Sequence, residues 1–369
     1  MRTSRRSPAI PSLLVISLSA ALCSPLAHSQ QATLMPIYSS QAVLQGLYAH
    51  FLPARAQTFQ QQAEKLAAQT ERYCRQQGSL ADLRRQWQQS MLAWEALSTP
   101  AVGPVLARRS QRQIDFWPMR PELLRKAMAK EPHTLVDMET VGTPAKGLPA
   151  LEYLLAAWSQ PGPSETPLTS GNCRFAELVA QGIVVEARAL NAKLTVMATR
   201  DWQASPEATA NAMGEWVNQW LAAAEKLRWA HIEKPIRATQ GADAAAPRQP
   251  VPFARLSRES NLMAWRVQWQ GLLAQGQLTS AQRRVPPQAG QSVIPIEAIL
   301  RGKGHLALAQ RWTQALDKVG AELEGLTPES PTGALLALAQ SIKAVTLLYQ
   351  NEVSAALDIP IGFSDADGD

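Results

Sequence analysis

The chain has 369 residues, of which 46% are hydrophobic and 18% charged, with a formal charge of +6. That is ample for a large core in one or two domains. So mild a positive excess, spread over so long a chain, excludes a nucleic-acid-binding footprint.

The N-terminus stands apart from the rest. Arg2, Arg5 and Arg6 form a basic head, "SLLVISLSAALC" is a short apolar run, and Ala27-His28-Ser29 offers a small-x-small cleavage site. Residues 1–29 read as a cleaved secretory signal, with the mature chain starting near Ser29 and Gln30. The apolar run is too short for a permanent anchor, so no transmembrane segment is expected after cleavage. Leu22 precedes Cys23 where lipid-attachment sites carry a small residue, so a periplasmic product is expected rather than a lipid-anchored one. Removing the signal takes away three arginines and no acids, leaving a charge of +3.

Past the signal, helical spacing recurs and no convincing strand pattern appears. Residues 37–76 read as one long helix bent at Pro53. Leu80, Leu83, Trp87, Met91 and Trp94 then fall three or four apart, on one helix face. "TPAVGPVL" at 99–106 and "SQPGPSETPLTSGN" at 159–172 are turn-rich connectors. Met213, Trp216, Trp220, Leu227 and His231 trace a second stripe, and Leu335, Leu338, Ile342, Val345, Tyr349 and Val353 a third. Such tryptophan stripes are expected to be helix–helix core rather than cofactor boxes. Between the last two stripes, "ATQGADAAAPRQPVPF" at 238–253 is the most linker-like stretch. The expectation is an all-α protein in two packed four-helix-bundle-like halves, about 36–200 and 206–359, followed by an acidic tail, 360–369.

The familiar catalytic signatures are missing. No His-Glu-x-x-His helix, nucleophile elbow, phosphate-binding loop or dinucleotide fingerprint is present. Two cysteines survive signal removal, Cys74 and Cys173. In an oxidising compartment they either pair across a long loop or remain two separate buried thiols. The tail alternates Asp365, Asp367 and Asp369, but its glycine is misplaced for a calcium loop and no closing glutamate follows.

One residue resists a bland account. "KGLPALEYLLAAW" keeps Glu152 among Leu148, Leu151, Leu154, Leu155 and Trp158. A buried carboxylate must be paired, hydrogen-bonded, bound to a cation or neutralised. With Pro149 at the first helical position, Glu152 falls in the first turn, where the helix dipole favours it by about 0.3–1 kcal/mol. It is either such a helix-start residue or an acid facing a cleft.

"GLPALEYLL", "DFWP" at 115–118 and the terminal "GFSDADGD" together resemble the imelysin-like proteins of bacterial envelopes, from about residue 38 to the end. That family carries a Gly-x-His-x-x-Glu motif, which maps onto Gly147, Pro149 and Glu152. The resemblance implies a helical fold with two bundle-like halves and the motif between them. It also implies a metallopeptidase name and, for several members, an association with iron uptake. Proline replaces the motif histidine here, so a His-plus-Glu metal pair cannot form from these positions. The resemblance therefore points to a binding module for a metal or other ligand, without peptidase turnover. Iron or another divalent metal is the cofactor or ligand the resemblance suggests, and envelope iron-transport components are its expected partners. Glu152 and Asp115 are the candidate ligand or metal contacts, and Trp94 and Trp117 the candidates for shaping the pocket. Two alternatives stand beside this reading: a peptidase using other ligands such as His133 or Glu139, and a structural envelope scaffold.

Overall fold

The apolar stripes become helices in the computed structural model, which describes residues 34–158, 169–240 and 251–362. The signal segment with Ser29 and Gln30, most of the 159–172 connector, the middle of the linker and the tail from 363 lie outside the described residues. Every regular element among the described residues is helical, and the fold is all-α.

Eight helices exceed ten residues: α1 (Leu52–Cys74), α2 (Leu80–Ser98), α3 (Gly147–Ala157), α4 (Ser170–Ala198), α5 (Pro206–Glu225), α6 (Arg258–Gly276), α7 (Leu306–Glu324) and α8 (Thr332–Leu348). Four of them start on a hydroxyl cap. Ser79, Thr169, Ser205 and Ser257 accept first-turn amides from Asp82, Asn172, Ala208 and Ser260. The long helix expected over 37–76 runs from Ser40 to Cys74, but Gly46–Phe51 is π-helical. Pro53 has no N–H to give, and its ring crowds the carbonyl four residues back, so the turn ahead of it widens. A second π segment, Lys226–Glu233, continues α5 and leads into a short helix, Lys234–Gln240.

α1 packs on α2 and α4, and α3 bridges α2 and α4. Later in the chain, α8 packs on α7, on α5 and on the π segment that follows α5, while α6 touches α5 and α7. The expected divide at about 200–206 is the connector between α4 and α5. It does not part the core, because α6 also packs along α2 and all eight helices fall in one compact unit.

The tryptophan stripes are core. Trp220 stacks on Tyr349 with centroids 5.1 Å apart and tilts against Trp312 at 5.0 Å. Their indole N–H groups donate to Leu272 and Gly276 carbonyls at 3.0 and 2.8 Å, so the rings are buried without a stranded donor. Among the described residues, Thr332–Leu357 is long and apolar enough to cross a membrane. Leu335, Leu338, Ile342 and Val345 on it are buried against the neighbouring helices, as in the core helix of a bundle. Cys74, at the end of α1, is disulfide-bonded to Cys173 in the first turn of α4, with Cα atoms 5.6 Å apart.

Candidate functional site

Glu152 lies on α3, but not where the sequence suggested. The helix begins at Gly147, two residues before Pro149, so Glu152 falls in the second turn and its placement is not a first-turn dipole effect. Pro149 is tolerated because the first four N–H groups of a helix have no partner in it. Gly147 is required: its φ is +75°, and a Cβ there would sit 2.3 Å from the Ile114 carbonyl oxygen. That contact seats the head of α3 on the end of the short helix Ser110–Ile114, whose next residue is Asp115. Trp87 of α2 donates its indole N–H to the Leu148 carbonyl at 2.9 Å and fastens the same corner.

The counter-charge for these carboxylates is Arg255, just ahead of α6. Asn261 pins its loop: the Arg255 amide donates to the Asn261 side chain at 3.0 Å, which donates back to the Arg255 carbonyl at 2.7 Å. The guanidinium is 3% exposed and makes a two-pronged bond to Asp115, both contacts at 2.6 Å. It also donates to Glu95 of α2 at 2.6 Å. The second Glu95 oxygen accepts from Gln268 of α6 at 2.7 Å, and the Gln268 oxygen faces His231 Nδ1 at 3.2 Å. Glu152 Oε1 accepts the backbone N–H of Leu256 at 2.9 Å, next door to Arg255. Glu95 and Asp115 thus bond one buried cation directly, and Glu152 and His231 join the same cluster from two further segments through the Leu256 amide and Gln268.

Burial sets the protonation of this cluster. It would raise the Asp115 carboxyl, but the charge and hydrogen bonds of Arg255 outweigh it and hold Asp115 below the usual range. Glu95 is driven up, chiefly by burial and further by Asp115, against the pull of Arg255. Burial also pushes Glu152 up to about 7, opposed by Arg255 and the Leu256 amide. His231 is pushed down to about 3 by burial and by the charges of Lys226 and Arg255, so its imidazole is neutral. Lys226 is lowered by desolvation, against Glu95 and Asp115.

The structure therefore brings Asp115 and Glu152 around one centre and adds Glu95, Arg255, Gln268, His231 and Lys226. Trp94 is fully buried against Phe59, centroids 5.2 Å apart, and forms core beneath Glu95 rather than an open wall. Trp117 is half-buried, two residues beyond Asp115. His133 and Glu139 are exposed and share no hydrogen bond or ion pair with the cluster.

A resident hydrolytic metal does not fit these residues. Both oxygens of Asp115 and both of Glu95 are committed to Arg255 and Gln268, and one of Glu152 to an amide. The guanidinium stands where a cation shared by the carboxylates would stand. No group of three His, Cys, Asp or Glu side chains among the described residues is arranged to hold a metal ion.

No curated protein sequence matches the chain significantly. Among solved structures, it resembles an imelysin-like protein from Psychrobacter arcticum 273-4, at 17% identity and a TM-score of 0.68, over 89% of this chain and 99% of that one. It also resembles a putative iron-regulated protein A precursor from Parabacteroides distasonis ATCC 8503, at 14% identity and a TM-score of 0.70, over 86% of this chain and 94% of that one. At such identities the likeness is one of fold. The sequence model of the family described as Imelysin matches residues 52–358, from the first residue of α1 to just beyond the last described helix. With its motif corner seated on α3 and its helices matched nearly end to end, the chain belongs to the imelysin family.

Proposed function

We propose that the protein is an exported, periplasmic ligand-binding module serving iron uptake, without peptidase turnover. The observation that carries this reading is the Arg255 cluster. The carboxylates that would surround a metal are bound to a guanidinium, and Pro149 stands where the motif histidine would be. A zinc peptidase needs three protein ligands and an open water position. This centre instead offers a partly open carboxyl, Glu152, beside a fixed buried cation. Iron at this centre is cargo that brings its own ligands.

Export is supported by the signal-like segment 1–29 and by the Cys74–Cys173 disulfide, a bond that persists in oxidising compartments. The iron link rests on the family resemblance and on the iron-regulated relative in fold. The partners would be envelope iron-transport components.

The test has two arms. Cells lacking the chromosomal copy are given the wild-type chain or Glu152→Gln, and uptake of labelled iron is followed. Uptake is expected to fall without the protein, and to be restored by the wild type and poorly by the variant. Uptake indifferent to the protein removes the iron link. In the second arm, purified full-length protein is incubated with peptide substrates with and without chelator. No chelator-sensitive cleavage is expected, and robust chelator-blocked cleavage would restore the peptidase reading.

A further inference from the structure

The positive charge of the chain is gathered in one stretch. Residues 104–130 hold seven lysines and arginines and two acids, a net +5 within a mature chain of +3, so the remainder is mildly acidic. One of the two acids, Asp115, is buried on Arg255, and Arg108 is spent on Glu186. What reaches solvent is Arg109, Arg112, Arg120, Arg125, Lys126 and Lys130, against Glu122 alone. Apart from Arg125, these cations have no side-chain hydrogen bond or ion pair among the described residues.

The fold sets this stretch along one helix. Its three short helices, Pro104–Ala107, Ser110–Ile114 and Pro121–Met128, all pack on α4, whose other sides are taken by α1 and α3. They bury Val105, Ser110, Ile114, Leu124 and Ala127 and turn their charges outward. Arg108 and Ser110 both bond Glu186 of α4 at 2.6 Å, which fixes the second short helix beside Val185. At 3.6 residues per turn, Glu186 and Val184 flank Val185 on opposite sides. On the Val184 side, Leu135 closes a shallow groove of about 360 Å³ with Ala67, Val184 and Val185. Val185 is 54% exposed, and Val136, next to Leu135, is 69% exposed. The turn that carries Leu135 and Val136 is tied down, because the Asp137 carboxylate accepts the His133 and Thr134 amides at 2.9 and 2.8 Å. An exposed aliphatic patch on a fixed turn therefore stands beside a field of unpaired cations.

We propose that this face docks the protein on an anionic membrane surface, with the cations on headgroup phosphates and the Leu135–Val136 turn entering the headgroup layer. Charge complementarity names the occupant. Each lysine or arginine near an anionic leaflet adds attraction, and aliphatic side chains beside them reach the boundary with the acyl chains. A nucleic acid would leave the aliphatic turn without a contact. A specific acidic protein would be met by charges held in register, whereas these are spread over two short helices and the loops beside them, with no side-chain bond to aim them. A bilayer asks only for charge density and a few apolar side chains. The docking role goes beyond the ligand-binding reading and does not depend on it.

The experiment is co-sedimentation with vesicles of phosphatidylcholine, with and without a third of phosphatidylglycerol. It uses the chain from Gln30 onward, which keeps the whole helical unit and lacks the apolar signal run that could itself bind lipid. Binding is expected to the anionic vesicles alone, and to fall at least tenfold when salt is raised to about 0.5 M, where screening shortens the reach of surface charge. Arg112→Glu with Lys126→Glu should weaken it at least tenfold at an unchanged melting temperature, and Val136→Asp severalfold. Lys234→Glu with Lys343→Glu changes the net charge equally on exposed positions of other helices, and should leave most of the binding in place. The inference is overturned if the chain ignores anionic vesicles, if it binds neutral ones as well, or if the two double variants weaken binding alike. Retention on immobilised polyglutamate without vesicle binding would assign the face to an acidic protein and overturn it equally.

Discussion

A carboxyl held near pKa 7 inside a helical core makes stability depend on pH in a fixed direction. Burial raises Glu152 from 4.5 to about 7, so between those values the folded chain keeps a proton that the unfolded chain has lost. The contribution is full below about 4.5 and is lost as pH rises through about 7. At 1.36 kcal/mol per unit it amounts to roughly 3 kcal/mol by pH 8. His231 has the opposite sign: its depressed pKa costs stability as pH falls below about 6.5, so the two must be separated by mutation. In urea unfolding, Glu152→Gln is expected to gain on the wild type by about 3 kcal/mol between pH 4.5 and 8. A difference independent of pH would mean that Glu152 ionises freely. Glu152 was legible because a lone charge in an apolar run demands an explanation, and Asp115 because it opens the "DFWP" run. Glu95 meets the same criterion, flanked by Leu92, Ala93, Trp94, Ala96 and Leu97, but it lies within an apolar stripe whose spacing already accounts for the helix without it. Arg255 shows in the sequence only as one arginine in "VPFARL". Its acidic partners lie 140 and 160 positions away, beyond the reach of any local pattern.

At the scale of elements, three-and-four spacing located the long helices, because each must bury one stripe. It did not locate the π segments. The residues on either side of Gly46–Phe51 and Lys226–Glu233 keep helical spacing, and one widened turn leaves little trace in composition. The start of α3 was misplaced for a related reason: proline is a good first residue, but a glycine with φ +75° set the boundary two positions earlier. That glycine gives a sharp prediction. Gly147→Ala adds a Cβ both in a left-handed conformation and 2.3 Å from a backbone oxygen that has little room to move. A loss of more than about 1 kcal/mol is expected in denaturant melts. Because α3 would lift from the end of the Ser110–Ile114 helix, the Asp115 corner should loosen with it, seen as faster amide exchange there. A variant as stable as the wild type would show that the corner can shift without cost.

For the whole molecule, the turn signals near 200–206 mark a real connector. They could not report that α6 lies along α2, a contact between helices on either side of it. The disulfide was undecidable from sequence for a similar reason, since pairing depends on Cα atoms that only the fold brings within 5.6 Å. It closes a loop with a sequence separation of 99, for which chain entropy suggests a stabilisation of about 4–5 kcal/mol. Reduction, or Cys74→Ser with Cys173→Ser, is expected to lower unfolding free energy by roughly 2–5 kcal/mol in denaturant titrations. No change on reduction would contradict the pairing. The Arg255 cluster has a consequence for folding itself. Its charges come from segments that must find each other late, after the local helices have formed and long loops have closed. If α6 settled against α2 one turn out of place, a guanidinium and two carboxylates would be stranded in an apolar interior, at a cost of several kcal/mol. The cluster therefore acts as a key for register: a packing that places Arg255 wrongly is expelled, and only the alignment that completes the site persists.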